Sequence, residues 1–220
     1  MKEALVIGAS GGIGAAMAAE LADRGARVTT LSRARDGLDI TDPESVARHL
    51  GALTGPFDTL VIATGILAPE GMTPEKALSQ ITPAQMAQTV AVNTLGPALL
   101  LAEALRLLPR DAPSRVGVLS ARVGSIGDNH IGGWHSYRAS KAAVNQIVRG
   151  AAIEIGRKRR EACVVALHPG TVETDFTADY PGHSKVTPAE AARNLCDVLA
   201  GLTPENTGRF YAYDGSEIPW

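Results

Sequence analysis

Tyr137 and Lys141 stand four residues apart in the run Tyr137-Arg138-Ala139-Ser140-Lys141, just ahead of the apolar Ala142-Ala143-Val144. On a helix that spacing puts both side chains on one face, one turn apart. A phenol ionises near pH ~10, and a fixed ammonium close by favours the phenolate and draws that value toward neutrality. A tyrosine tuned in this way can give a proton to a reacting group or take one from it. The same spacing also occurs where a solvated lysine lies beside a half-buried tyrosine. The pair therefore takes its meaning from the rest of the chain.

A second stretch has chemistry of its own. Gly8-Ala9-Ser10-Gly11-Gly12-Ile13-Gly14 follows the apolar run Ala4-Leu5-Val6-Ile7 and precedes an alanine-rich helical stretch. Glycines between a strand and a helix permit a tight turn and close backbone approach to a pyrophosphate. The helix N-terminus adds unpaired N–H groups and partial positive charge. The spacing is G-x-x-x-G-x-G, and the alternative is a glycine-rich turn with no ligand. At the end of the next apolar run come Ser32 and Arg33, where an acidic residue would suit an NAD ribose and a basic one an NADP phosphate. A guanidinium binds phosphate through two hydrogen bonds, so Arg33 favours NADP(H) over NAD(H), with Asp36 nearby as the opposing sign.

The elements that must position these groups are legible as short apolar runs separated by helical stretches. Strands are expected at Ala4-Leu5-Val6-Ile7, Val28-Thr29-Thr30-Leu31, Thr59-Leu60-Val61-Ile62-Ala63, Arg115-Val116-Gly117-Val118-Leu119, Cys163-Val164-Val165-Ala166-Leu167 and Phe210-Tyr211-Ala212-Tyr213. Helices are expected over 15–24, within 82–108, from Tyr137 onward, and from the Thr187-Pro188 start to about residue 200. Strands alternating with helices imply a doubly wound α/β fold of Rossmann type, a mainly parallel sheet with helices on both faces. No repeat or linker divides residues 1–220, which read as a single domain with about seven strands. Only four residues separate Arg33 from Leu38, too few for a parallel crossover. A third strand at Leu38-Asp39-Ile40 is therefore expected to be shortened, brushing the sheet edge or not regular at all, with its crossover helix missing.

Composition narrows the partners. The formal net charge is −2, and the longest basic run is Arg157-Lys158-Arg159-Arg160, so no nucleic-acid surface is expected. No uninterrupted apolar run reaches the ~18–20 residues of a membrane span. No signal peptide precedes the first strand. The two cysteines, Cys163 and Cys196, sit in apolar segments and read as free thiols of a reducing, cytoplasmic compartment. The five histidines (His49, His130, His135, His168 and His183) lack metal-ligand spacing, so no metal is expected.

Taken in order, the glycine loop, Asp39, Ala63-Thr64-Gly65, Asn93, Tyr137-x-x-x-Lys141 and Pro169-Gly170 resemble the short-chain dehydrogenase/reductase family along nearly the whole chain. Arg122-Val123-Gly124-Ser125, Gly132-Gly133, His168-Pro169-Gly170-Thr171-Val172 and Pro219-Trp220 resemble its C-factor (C-signal) subgroup. The resemblance implies an NADP(H)-dependent oxidoreductase that reduces a carbonyl compound or oxidises a secondary alcohol, or else a nucleotide-binding signalling protein with little catalysis. It implies Tyr137 as general acid or base, Lys141 as the group that tunes it and binds the nicotinamide ribose, and Asn93 as an aid to a proton-relay water. It places Gly8, Ser10, Gly11, Gly12, Ile13 and Gly14 at the pyrophosphate and Ser32 and Arg33 at the adenosine ribose. Asp39 and Ile40 would flank the adenine, with Ala63, Thr64 and Gly65 beside the cofactor. Pro169, Gly170, Val172 and Thr174 would hold the carboxamide. It also implies a homodimer or homotetramer and a small-molecule substrate.

Two departures stand out. Ala63 replaces the family's usual asparagine, and Ala121 stands where its catalytic serine belongs. Such a serine polarises the carbonyl, and one lost donor costs on the order of 10²–10³ in rate. Ser125, just past Gly124, is the preferred stand-in, ahead of Ser120, whose side chain should face the other way. Trp134, Phe176 and Tyr180 are candidates for an apolar pocket wall, and residues 66–81 for a lid or oligomer contact.

Overall fold

Six strands form one sheet in the computed structural model, which describes residues 1–178 and 184–220. The strands are β1 (Glu3–Ile7), β2 (Arg27–Leu31), β3 (Thr59–Ile62), β4 (Ser114–Leu119), β5 (Ala162–His168) and β6 (Phe210–Ala212). Their order is β2-β1-β3-β4-β5-β6, and every neighbouring pair is parallel. Successive strand residues face opposite sides, and the apolar runs bury both. Leu5, Ile7, Leu60 and Ile62 enter one core; Ala4, Val6 and Val61 enter the other.

The first core is covered by α3 (Pro43–Gly51), α5 (Gly96–Leu107) and α6 (His135–Lys158), through residues such as Leu50, Leu100 and Val148. The second is covered by α1 (Gly12–Asp23) and α7 (Pro188–Gly201), through Met17, Leu21, Leu195 and Leu199. Thr187 caps α7 by accepting from the Glu190 N–H, with Pro188 in the first turn. This is the doubly wound arrangement that the alternation of strands and helices implied.

The edge beside β2 follows one of the two expected alternatives, an irregular segment. Leu38-Asp39-Ile40 forms no strand, so the sheet has six strands and not about seven. Ser32 caps the single turn α2 (Arg33–Asp36), and Gly37 then adopts the left-handed conformation at φ 73°. The chain turns at once, and local bonds satisfy it. The Asp39 carboxylate accepts from the Thr41 N–H and hydroxyl, and the Asp39 N–H donates to Ser45 Oγ. Leu38 plugs the core and Ile40 packs against it, so the apolar residues serve without a ladder. The chain then crosses the sheet through α3, which sequence periodicity did not anticipate.

The helical stretch 82–108 is α4 (Pro83–Val90), a π-helical turn (Ala91–Leu95) and α5. Pro97 has no N–H for the carbonyl four residues earlier, that of Asn93, so the α-helical ladder cannot run straight through. The helix widens there, as π turns often do at functional positions. The whole stretch Pro83–Leu107 is long and apolar enough to cross a membrane by length and composition, although no uninterrupted apolar run marked it in the sequence. In the fold, Leu100, Leu101, Ala104 and Leu107 cover the sheet.

Candidate active site

A cleft of about 430 Å³ opens where the C-terminal ends of β1, β3, β4 and β5 meet their following loops. β1 lies between β2 and β3, so chain order reverses there, which is where open α/β sheets bind ligands. One wall is the glycine loop. Gly8 needs its positive φ of 91°, and a Cβ on Gly14 would lie 2.3 Å from the Gly8 carbonyl oxygen. Both glycines are demanded by the turn itself. Gly11 is different: its φ of −81° suits any residue, and an added Cβ would meet only the Gly8 oxygen, at 3.5 Å. Neither conformation nor packing requires a glycine there. Its open space faces the cleft at the uncapped N-terminus of α1, a cradle suited to a pyrophosphate. Thr174 closes over the loop, since a Cβ on Gly12 would lie 2.6 Å from its methyl group.

The opposite wall holds Tyr137 and Lys141, which α6 brings to the cleft together. They are 6% and 4% exposed. Burial pushes the Tyr137 phenol above its usual value and pushes the Lys141 ammonium down to about 8. The expected lowering of the phenol by the lysine is thus outweighed by desolvation in the ligand-free protein. Lys141 Nζ lies 6.0 Å from the Tyr137 ring centre and donates to the Leu119 carbonyl at 3.0 Å. The ring of Tyr137 packs between Trp134 and Phe176, at centroid distances of 6.1 and 5.8 Å.

Asn93 does not reach the cleft lining. Its fully buried amide accepts from the Ile66 N–H (2.7 Å) and donates to the Ile66 carbonyl (2.8 Å) and Ser140 Oγ (3.0 Å). Ser140 Oγ in turn donates to the Tyr137 carbonyl. The side chain ties the loop after β3 to the helix that carries the tyrosine.

Ser125 is a correction. It is buried away from the cleft lining, and its hydroxyl accepts the Asp128 N–H in a turn. Ser120 and Ala121 line the cleft instead, because β4 ends at Leu119 and the chain leaves the sheet there. Ser120 Oγ donates to Asn145 Oδ1 at 2.6 Å, so its one proton is already engaged. Neither serine offers the cleft a free donor in this arrangement.

Just after β2, Ser32 Oγ accepts from the Arg35 N–H, and the Asp36 carboxylate accepts the Ser32 N–H at 2.7 Å. Asp36 is therefore turned into its own helical turn. Arg33 and Arg35 are exposed, and neither has an ion pair among the described residues. The hydrogen bonds from Thr41 hold the Asp39 carboxyl below its usual range.

Of the cofactor residues expected from sequence, Gly11, Gly12, Ile13, Gly14, Ala63, Thr64, Gly65, Pro169, Gly170, Val172 and Thr174 line the cleft. Gly8, Ser10, Ser32, Arg33, Asp39 and Ile40 lie outside the lining. Tyr180 and His183 lie outside the described residues. The lining also includes His168, Glu173, Asp175 and Thr177, which no motif flagged as ligand-facing. Burial pushes His168 down to about 4, with Arg122 adding to the effect and Asp214 opposing it, so the imidazole is neutral. Two cleft atoms are buried without a hydrogen-bond partner among the described residues, Thr64 Oγ1 and His168 Nδ1. An orphaned hydroxyl beside an open glycine cradle is what a polar, phosphate-bearing ligand would complete.

A parallel sheet with a glycine loop at its switch point, and a buried Tyr/Lys pair in the same cleft, is the architecture of a dinucleotide-binding α/β domain. The family model described as enoyl-(acyl carrier protein) reductase matches residues 8–213. The chain is 35% identical to the 1-hydroxy-2-glutathionyl-2-methyl-3-butene dehydrogenase of Rhodococcus sp. (strain AD45), with all of both chains covered. It is 38% identical to the C-signal protein of Myxococcus xanthus, over 76% of this chain and 95% of that one. A short-chain dehydrogenase/reductase from Burkholderia multivorans, solved with bound NADP, superposes with a TM-score of 0.80 at 27% identity, covering 100% of this chain and 99% of that one. The chain belongs to the short-chain dehydrogenase/reductase family and is an oxidoreductase.

Proposed function

We propose that the protein is an NADP(H)-dependent oxidoreductase that interconverts a small carbonyl compound and its secondary alcohol, with Tyr137 moving the proton. The observation that carries this reading is the burial of Tyr137 and Lys141 together on the cleft wall facing an open glycine cradle. NADPH, held by the glycine loop and by Thr64, Gly170 and Thr174, would supply the hydride for such a reduction. The remaining work falls to side chains. The phenol of Tyr137, kept protonated by burial, gives its proton to the carbonyl oxygen as charge develops there. Lys141 binds the nicotinamide ribose and replaces the lost proton's charge with its own. Thr64, Gly170 and Thr174 hold the cofactor, and Trp134 and Phe176 exclude water around the phenol. In the reverse direction Tyr137 accepts the alcohol proton. The name of the Rhodococcus relative, a dehydrogenase of a hydroxy compound, supports that direction.

Preference for NADP(H) rests on Arg33 and Arg35, exposed just after β2, and on Asp36 being turned away. The NADP-bound Burkholderia structure supports it. The test is a panel of ketones and aldehydes with NADPH, alongside Tyr137→Phe. Turnover that falls by about 10²–10⁴ in the variant, with NADPH still bound, is expected. No turnover by the wild type, or equal turnover by the variant, would sink the reading. A second reading, a nucleotide-binding signalling protein with weak catalysis, is favoured by Ala121 and by the engaged proton of Ser120. It predicts NADPH binding without reduction of any carbonyl in the panel.

A further inference from the structure

Helix α6 begins without a capping side chain of its own. Trp134, at its N-cap, is held in the left-handed conformation at φ 50° and ψ 43°, rare for a bulky residue. The first N–H groups of a helix have no partner within it, and here Ser136 and Tyr137 are buried. The partner arrives from 61 residues away in sequence. Glu75, only 3% exposed, accepts the Ser136 N–H at 3.1 Å and, through its other oxygen, the Ser136 hydroxyl. Its backbone carbonyl accepts the Trp134 N–H at 2.5 Å.

Burial works against charge on Glu75, but the hydrogen bonds from Ser136, a backbone hydrogen bond of its own residue and the nearby His135 together outweigh it and hold the carboxyl below its usual value. A carboxylate at the positive end of a 24-residue helix is favourably placed. The neighbouring chain is fastened too: Gln85 Nε2 donates to the Thr73 carbonyl, and Gln80 Oε1 accepts from the Lys76 N–H. Around residue 75 the 66–81 segment is therefore a strut. What the strut holds is the first turn of α6, where Tyr137 follows Ser136 directly and Trp134 sets its ring edge against the phenol.

We propose that Glu75 is a positioning residue for Tyr137: its carboxylate caps α6 through Ser136, its carbonyl fixes the Trp134 turn, and together they aim the phenol into the cleft. The proposal rests on the carbonyl-reduction reading for its kinetic form. The experiment compares Glu75→Ala, Glu75→Gln and Ser136→Ala with the wild type, measuring kcat per NADPH-binding site and the Kd for NADPH. Displacing a reacting group slightly costs up to about a hundredfold, so Glu75→Ala is expected to lose about tenfold or more in kcat. Glu75→Gln keeps one acceptor oxygen and should fall between Glu75→Ala and the wild type, as should Ser136→Ala. The Kd for NADPH should change less than kcat throughout, because of the proposed cofactor contacts only Lys141 lies on α6, beyond the capped turn.

A cap that only stabilises would lower the melting temperature and leave kcat per site unchanged, and that result overturns the proposal. If Glu75→Ala does not fold, Glu75→Gln and Ser136→Ala decide it by the same criterion. If the wild type reduces no carbonyl, the functional reading fails, and the positioning claim is read optically. The near-UV circular dichroism lost in Tyr137→Phe reports the Trp134–Tyr137 pair, and it should shrink in Glu75→Gln. An unchanged signal there overturns the claim.

Discussion

At position 121 a methyl group borders the cleft where a hydroxyl donor would polarise a carbonyl, and the two nearby serines do not make up the loss. Ser125 is turned into its own loop, and the Ser120 hydroxyl donates its hydrogen bond to Asn145 Oδ1. Ala121→Ser should therefore raise kcat, by about tenfold or more, since one oxyanion donor is worth about 10²–10³ where fully preorganised. Ser120→Ala should change kcat little. An Ala121→Ser enzyme no faster than wild type would show that the site works without this donor, and would favour the signalling reading. Lys141 gives a second prediction at this scale. Burial lowers it to about 8, so its ammonium is lost as pH rises through that value, while the phenol, pushed upward, keeps its proton. The rate of reduction, as kcat/KM, should fall above about pH 8. Stability should move the other way between about 8 and 9, because there the unfolded chain holds the lysine proton that the fold has lost; above about 9 the buried thiols of Cys163 and Cys196, pushed up to about 12, reverse the slope. A falling rate with rising stability, followed by activity and urea denaturation on the same samples, separates titration from unfolding. A flat rate profile to about pH 9.5 would sink the lysine's role.

At the scale of elements, the glycine loop combines two kinds of glycine. Gly14→Ala would force a Cβ against the Gly8 carbonyl at 2.3 Å, so it should destabilise the protein by about 1–3 kcal/mol. Gly11→Ala meets no such atom and should leave the melting temperature unchanged while weakening NADPH binding, read by nicotinamide fluorescence. Equal effects of both on stability would refute the distinction. This contrast was invisible in the sequence, where each glycine looked equally suited to a phosphate loop. The strands and the loop's position were legible because an apolar run ending in glycines ahead of a helix is a local signal. Tyr137 and Lys141 were legible for the same reason: four residues on a helix fix a shared face. The four-residue gap after Arg33 already argued against a regular strand at Leu38-Asp39-Ile40, whose apolar residues serve the core from an irregular segment. Ser125 was misplaced because the single helical turn Arg122–Gly124 redirects the chain after β4. The Glu75 cap joins groups 61 residues apart, which no spacing rule reaches.

For the whole molecule, α1 and α6, which cover opposite faces of the sheet, both contribute to the cleft, so its occupancy should stabilise the entire fold. A ligand that binds only the folded state, at about 100 times its Kd, adds about 2.7 kcal/mol. For a chain of this size each kcal/mol moves the melting temperature by about 2–4 °C, so saturating NADPH should raise it by about 5–10 °C. NADH at the same concentration should raise it less, because Arg33 and Arg35 lie beside the second strand with no acidic side chain turned toward them from Asp36. Replacing the guanidinium in Arg33→Ala should bring the NADPH shift down toward the NADH shift without lowering the melting temperature of the ligand-free protein, since Arg33 is exposed and makes no ion pair among the described residues. Tyr137→Phe, by contrast, should keep the full NADPH shift while losing turnover, which separates binding from proton transfer in one assay. Equal shifts for the two cofactors in the wild type would remove the case for Arg33 as a phosphate ligand. A shift with neither would leave the cradle around Gly11 without an occupant of this class.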